Sequence, residues 1–323
     1  MKPGTQRSNV LLRRYLSVLV CLLSCKVLAL EVDTDDLQVI TAENIRESMI
    51  AFVNVTTGPG LGGATLRVDQ RNRESDLLRG GLEVAGDYTL KDTVADFYWG
   101  GALAYGALDD ELEALGVGGR RLRLNVERSI ISLRGSAGFN LPVSQHLTVR
   151  PYLSVAGSRL ETNTRIQGPD EINLPEIYRD SSVDALTTTA SLVAEYDRWQ
   201  GTRRVEIKGH YNLAYTDTFN ASDAGLETWG WNNTLLLRFR YSDALPQSTR
   251  GKPWRWNAYA IHTEFFDLDE RALGFNAYHE LGVGIDYEIN IRPLNWFGMR
   301  FVGFKVGYLF GDGVDGFSVG ITF

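Results

Sequence analysis

Cysteine is nearly missing from this 323-residue chain: Cys21 and Cys25 are the only two. A disulfide framework, a thiolate metal site and a cysteine nucleophile are therefore excluded beyond residue 25. A thiol-free chain also offers nothing for oxidants to cross-link while it is unfolded. Long apolar runs are missing as well. After the N-terminal region no stretch approaches the 18 or so consecutive apolar residues of a membrane-spanning helix, so a helical membrane protein is excluded. Histidine is confined to His146, His210, His262 and His279, and neither a Gly-rich phosphate loop nor an H-E-x-x-H string is present.

Basic charge is the next shortage. The chain carries 33 Lys and Arg against 40 Asp and Glu. Five of the basic residues (Lys2, Arg7, Arg13, Arg14, Lys26) fall within residues 1–29, so the remainder has 28 against 40, a net −12. That balance argues against nucleic acid as a partner. The basic residues precede an apolar stretch, Tyr15 to Leu23, and then Val27-Leu28-Ala29, which together read as a secretory signal peptide over residues 1–29. The apolar run is too short for a spanning anchor. A lipoprotein signal acylated at Cys25 is the other reading of the same residues.

From about residue 61 onward, apolar side chains recur at every second position, the period of β-strands. In one segment Val205, Ile207, Gly209, Tyr211, Leu213 and Tyr215 alternate with Arg204, Glu206, Lys208, His210 and Asn212. Others do the same: Leu82, Val84 and Tyr88 against Arg79, Glu83 and Asp87; Leu281, Val283, Ile285 and Tyr287 against Glu280, Asp286 and Glu288. A soluble sandwich could share this pattern, but its strands usually run about 5–6 residues, whereas a tilted membrane strand needs about 9–11. With no spanning helix available, only a closed barrel can satisfy the backbone in lipid.

Twelve segments are predicted, near 61–70, 78–90, 93–106, 120–140, 146–160, 184–199, 203–216, 228–241, 254–266, 275–289, 298–310 and 314–323. The number is even, as in single-chain bacterial barrels. Links alternate mostly between short (91–92, 141–145, 200–202, 290–297) and longer (107–119, 161–183, 217–227, 267–274), with 242–253 long for its side and 311–313 short. Alternation changes phase near His262 and around Arg128 to Ile130, where a bulge or an exit from the membrane is expected. Trp199, Trp254, Trp256 and Trp296 fall at one set of strand ends and Trp229 and Trp231 at the other, as interfacial belts require; Trp99 is placed nearer mid-strand.

The last segment ends on Phe323, with Phe317, Val319 and Ile321 at alternate positions. This resembles the C-terminal assembly signal of outer-membrane barrels. Twelve strands preceded by a short helix resemble the translocator domain of autotransporters, and residues 40–323 most resemble solitary autotransporter-type β-barrels without a passenger. About 30 residues between Ala29 and the first strand leave no room for one. The resemblance implies an integral outer-membrane location, with outer-membrane lipid and lipopolysaccharide, the barrel-assembly machinery and periplasmic chaperones as partners, and no cofactor.

Residues Thr41 to Phe52 predict a short helix, with Thr41 as N-cap and Ile45, Met49 and Phe52 on one face. The expectation is that it lies in the lumen as a plug, with Glu43 and Glu47 near inward arginines. The lumen-facing candidates are Arg134, Arg150, Arg204, Glu206, Lys208, His210, Arg238, Arg240, Glu280 and Asp286; over all the inward positions of the twelve segments basic and acidic charge are nearly balanced. A frayed tail is the alternative for the helix. For function, a non-enzymatic plugged or structural barrel is expected ahead of an open diffusion pore, and that ahead of a surface hydrolase. His210 would need a nucleophile and an orienting carboxylate to act as a general base. Asp109, Asp110, Glu111 and Glu113 read as an acidic cluster in an outer loop.

Overall fold

The computed structural model describes residues 42–58, 63–70, 73–115, 121–167, 180–266, 270–289 and 301–322. The expected signal peptide, the Thr41 cap, Trp296 and Phe323 lie outside the described residues. Twelve antiparallel strands close into one barrel: β1 (Gly63–Gln70), β2 (Arg73–Thr89), β3 (Asp96–Leu115), β4 (Arg121–Pro142), β5 (Leu147–Gln167), β6 (Ser181–Gln200), β7 (Arg203–Phe219), β8 (Trp229–Thr249), β9 (Lys252–Phe265), β10 (Ala277–Glu288), β11 (Phe301–Gly311) and β12 (Val314–Thr322). Each strand pairs with its neighbours in sequence, and β1 closes on β12 from Gly63 opposite Val319 to Val68 opposite Val314. Closure leaves no free sheet edge, the condition for a sheet in lipid.

Lipid-facing positions follow the alternation that the sequence shows. Leu82, Leu103 and Leu133 stand directly opposite one another on β2, β3 and β4, all pointing outward and all exposed. Placing a cation in the middle of this band costs about 2–4 kcal/mol. Leu133→Arg is therefore expected to lower barrel stability by that amount in lipid vesicles, read as an earlier denaturant midpoint than the wild type. Outward tryptophans sit near the strand ends. Trp99 is the fourth residue of β3, so it too lies at the end that carries the short links, and Trp229 and Trp231 open β8 at the other end.

The short-link end has two-residue turns at 201–202 and 250–251. Gly201 takes φ 64°, and Arg250 and Gly251 take 52° and 76°, the positive-φ pair of a type I′ hairpin. The expected long link 242–253 is thus a hairpin extension of β8 and β9, with a register shift between Ala244 and Ser248.

At the opposite end the strands outrun the expected boundaries: residues 107–115 continue β3, 161–167 continue β5, and 73–77 open β2. The predicted phase changes do not occur. Pairing is continuous through β4 and through His262 on β9, and the same parity faces inward throughout. What changes is which face is apolar. On β4, Ser132 and Arg134 face the lumen while Ile131 and Leu133 face out; further up, Leu124, Val126 and Ile130 face in and are buried. Above the membrane the exterior meets water and the interior becomes a packed core, so polarity inverts with no slip in register.

That core is built around α1 (Ala42–Thr57). Met49, Phe52, Val53 and Val55 of the helix pack with inward Leu66, Leu77, Leu108, Ile130, Leu160, Val183, Phe265 and Leu309 of the wall, closed above by Leu226 and by Leu273 of the four-residue helix α2 (Glu270–Leu273). A 16-residue helix is marginal alone in water. Burying each of these helix side chains is worth about 1.5–3 kcal/mol, which makes packing the dominant stabilising term. The helix extends five residues past the predicted Phe52 because Val53 and Val55 also meet apolar wall.

Candidate functional site: the lumen and its plug

The helix runs from the long-link end, where Arg46 Nε donates to Gly225 O at 2.8 Å, down to mid-lumen. At its lower end Arg79 Nη1 donates to Val55 O at 3.2 Å and Arg134 Nη1 donates to Thr57 O at 2.8 Å. Two wall cations thus satisfy carbonyls that a helix terminus leaves open and complement the negative end of its dipole. The wall arginines Arg79 and Arg134 thus meet the helix backbone; Glu47 is exposed, and the Glu43 side chain lies outside the described residues. Arg134→Ala should cost about 1.5–3 kcal/mol, the range for hydrogen bonds to charged groups. Amide exchange in the last turn of α1 should quicken while strand amides keep their protection.

Between helix end and wall lies a polar cavity of about 30 Å³, lined by Asn54, Thr57, Arg134, Ser191 and Asn212 among others. Its size suits a single water. The buried Nδ2 atoms of Asn54 and Asn212 have no protein partner.

Below the plug the wall is polar, and its charges are mostly paired. Glu206 bridges Arg204 at 3.3 Å and Arg238, and Arg204 also holds Asp197 through two bonds at 2.8 and 2.9 Å. Arg240 pairs with Asp286, which also accepts from Asn257 at 2.8 Å. Arg134 pairs with Glu83 at 3.2 Å. Arg150 bonds Asn140 and lies 4.5 Å from the centre of the Tyr98 ring. Lys208 faces the lumen between Glu195 and Arg238 on the adjacent strands. All ten lumen-facing candidates therefore line the interior, but as a belt of local pairs around the wall and not as one converging site.

His210 is buried, and its Nε2 lies 2.8 Å from the Tyr152 hydroxyl, with the two rings tilted at 5.7 Å. Neither a carboxylate nor a serine hydroxyl takes the place of that phenol. Glu280 accepts from Tyr259 at 2.8 Å and from Ser318 at 2.5 Å, beside Lys305 over the Tyr259 ring. Residues 316–320 spell G-x-S-x-G, the pattern of a hydrolase nucleophile turn. Here it lies within straight β12, paired with β1 and β11, and not in the strand-to-helix elbow that exposes a nucleophile. The predicted acidic loop is also strand: Asp109 and Glu111 point out, and Asp110 points in, 1% exposed. Among the described residues, no group of three or more His, Cys, Asp or Glu is arranged to hold a metal ion.

No known family profile matches the chain, and no curated protein matches it. Solved structures do. The β-domain of the Bordetella autotransporter BrkA aligns at 17% identity over 80% of this chain and 94% of its own, with a TM-score of 0.51. The translocator domain of the autotransporter NalP from Neisseria meningitidis aligns at 15% identity over 84% and 91%, with a TM-score of 0.52. The transport unit of the autotransporter AIDA-I from Escherichia coli aligns at 11% identity over 88% and 99%, with a TM-score of 0.50. The chain has the fold of autotransporter translocator domains, an outer-membrane β-barrel.

Proposed function

We propose that this protein is a non-enzymatic, sealed outer-membrane barrel, exported by its N-terminal signal and serving as a surface scaffold instead of a diffusion pore. One observation carries the reading: in its outer half the lumen is filled by a continuous apolar core that joins α1 to wall residues from ten of the twelve strands. A diffusion pore needs a wetted path, and this core offers none. The cations below it are paired across neighbouring strands, which suits wall stability more than ion selection.

The outward row Phe317, Val319 and Ile321 on β12 is exposed, as a strand read by the barrel-assembly machinery requires, and periplasmic chaperones would hold the chain before it folds. The test is planar-bilayer conductance of the protein with and without residues 42–58. The intact barrel should be silent and the shortened one should show discrete steps. Equal conductance in both would overturn the sealed reading.

A further inference from the structure

The closure that leaves no edge free runs only through the outer half of the wall. β1 starts at mid-height, with Gly63 opposite Val319 on β12 and Ala64 opposite Arg79 on β2. Below that level β2 continues for ten residues, Gly80 to Thr89. All of them pair with β3 on one side, and among the described residues none has a strand on the other. Gly320, Ile321 and Thr322 of β12 likewise pair with β11 alone among the described residues. Leu82 belongs to the outward leucine band, so the open edge begins in hydrocarbon and ends at the short-link turn. Such an edge is costly in lipid, where no water meets its N–H and C=O groups.

The chain itself holds a segment that fits this gap. Asn54 to Gly63 is ten residues, as many as Gly80 to Thr89. Continuing the register of β1 on β2 downward sets Gly63 against Gly80, Thr57 against Gly86, Val55 against Tyr88 and Asn54 against Thr89. Parity agrees as well. Ala64, Leu66 and Val68 of β1 face in. The same parity turns Asn54, Thr56, Gly58, Gly60 and Gly62 to the lumen and Val55, Thr57, Pro59 and Leu61 to lipid, small or polar inside and mostly apolar outside. Val53, Val55, Thr56 and Thr57 are β-branched, a type that favours strand over helix. Pro59, with no N–H to donate, would stand below Thr322 of β12, where one side of the strand has no described neighbour to bond.

In the described state these residues are committed elsewhere. Val53 and Val55 sit in the upper core, and Thr57 ends α1 at mid-lumen. Asn54 set against Thr89 would lie nine residues below Gly63, about 30 Å along a strand. Core and gap therefore cannot be filled at once. We propose that α1 and the lower half of β1 are alternative folds of the same residues. When the upper core lets go, Asn54 to Thr57 leave the helix and, with the five residues that follow, extend β1 along the open edge of β2. The rest of the plug is drawn toward the short-link mouth, so the lumen opens as the seam closes. The inference depends on the core and the strand ladder, and its failure would leave the sealed reading standing.

The test places cysteine pairs in the refolded barrel in vesicles. Val55→Cys with Tyr88→Cys is set face to face by the extended register; Val55→Cys with Leu82→Cys, on the same outward face six residues higher, is the control. Each pair is oxidised mildly with the core unaltered and with Phe52→Asp. The unaltered core should keep both pairs reduced, because Val55 is buried within it. With Phe52→Asp the disulfide between positions 55 and 88 should rise at least about ten-fold, and that between 55 and 82 should stay at background. No link between 55 and 88, equal yields from the two pairs, or an equal 55 to 88 yield with the core unaltered would each overturn the proposal. Should Phe52→Asp give no compact band on unheated SDS gels, Phe52→Ala takes its place, with the same result expected and the same results contradicting it.

Discussion

Phe52→Asp should turn a silent barrel into a leaky one. Phe52 is wholly buried among helix and wall side chains in the upper core. Removing an aromatic ring from such a site costs about 3–5 kcal/mol, and leaving an unpaired carboxylate there costs several more. The whole helix has only a few large side chains with which to offset that loss, whereas the strands keep their ladders. The expected result is therefore loss of α1 from the lumen with the barrel intact. Vesicles carrying the variant should leak small ions, and added protease should cut the helix while the barrel core stays resistant. Phe52→Leu, which keeps an apolar group, should remain sealed. A variant that stays tight and protected would mean that the plug is held by something other than apolar packing.

Asp110→Ala should be strongly destabilising at the outer end. Asp110 accepts from Arg73 Nε at 2.7 Å and Nη2 at 2.6 Å, and from Ser75 Oγ at 2.6 Å. Arg73 in turn donates to Ala272 O at 3.2 Å, which ties α2 over the plug. Arg128 lies close to both and is buried with Nε and Nη1 unpaired, so one carboxylate neutralises two buried guanidinium groups. Truncating one partner of a buried pair costs about 3–5 kcal/mol because the other charge is left behind. An earlier denaturant midpoint of that size is expected, while Asp109→Ala, one residue away and facing out, should be nearly neutral. Equal effects at 109 and 110 would contradict the inward placement.

These two sites also mark how far the sequence could be read. Strand number, closure and the facing of Arg204, Lys208 or Leu133 follow from period-two alternation, because lipid outside and a polar lumen inside keep one sign of pattern through the membrane. The outer ends were misjudged where the environment reversed. Arg128 and Ile130 looked like a slipped phase, and Asp109 to Glu113 like a loop, because an apolar interior with a polar exterior is the mirror of the membrane pattern. The signal was present: parity never changed, only the sign of polarity. The partners of α1 were not legible. Arg79 and Arg134 meet backbone carbonyls, which carry no residue identity that a sequence could show.

The sealed upper core is tested most directly by water access to its centre. Residues 30–323 contain no cysteine, so single thiols can be introduced one at a time. In the refolded barrel, Val53→Cys should resist a charged, water-soluble maleimide until the protein is unfolded, whereas Glu83→Cys, in the lumen below the helix, should react in the folded state. Reaction of a thiol at position 53 as fast as at position 83 would show a wetted lumen and contradict the account.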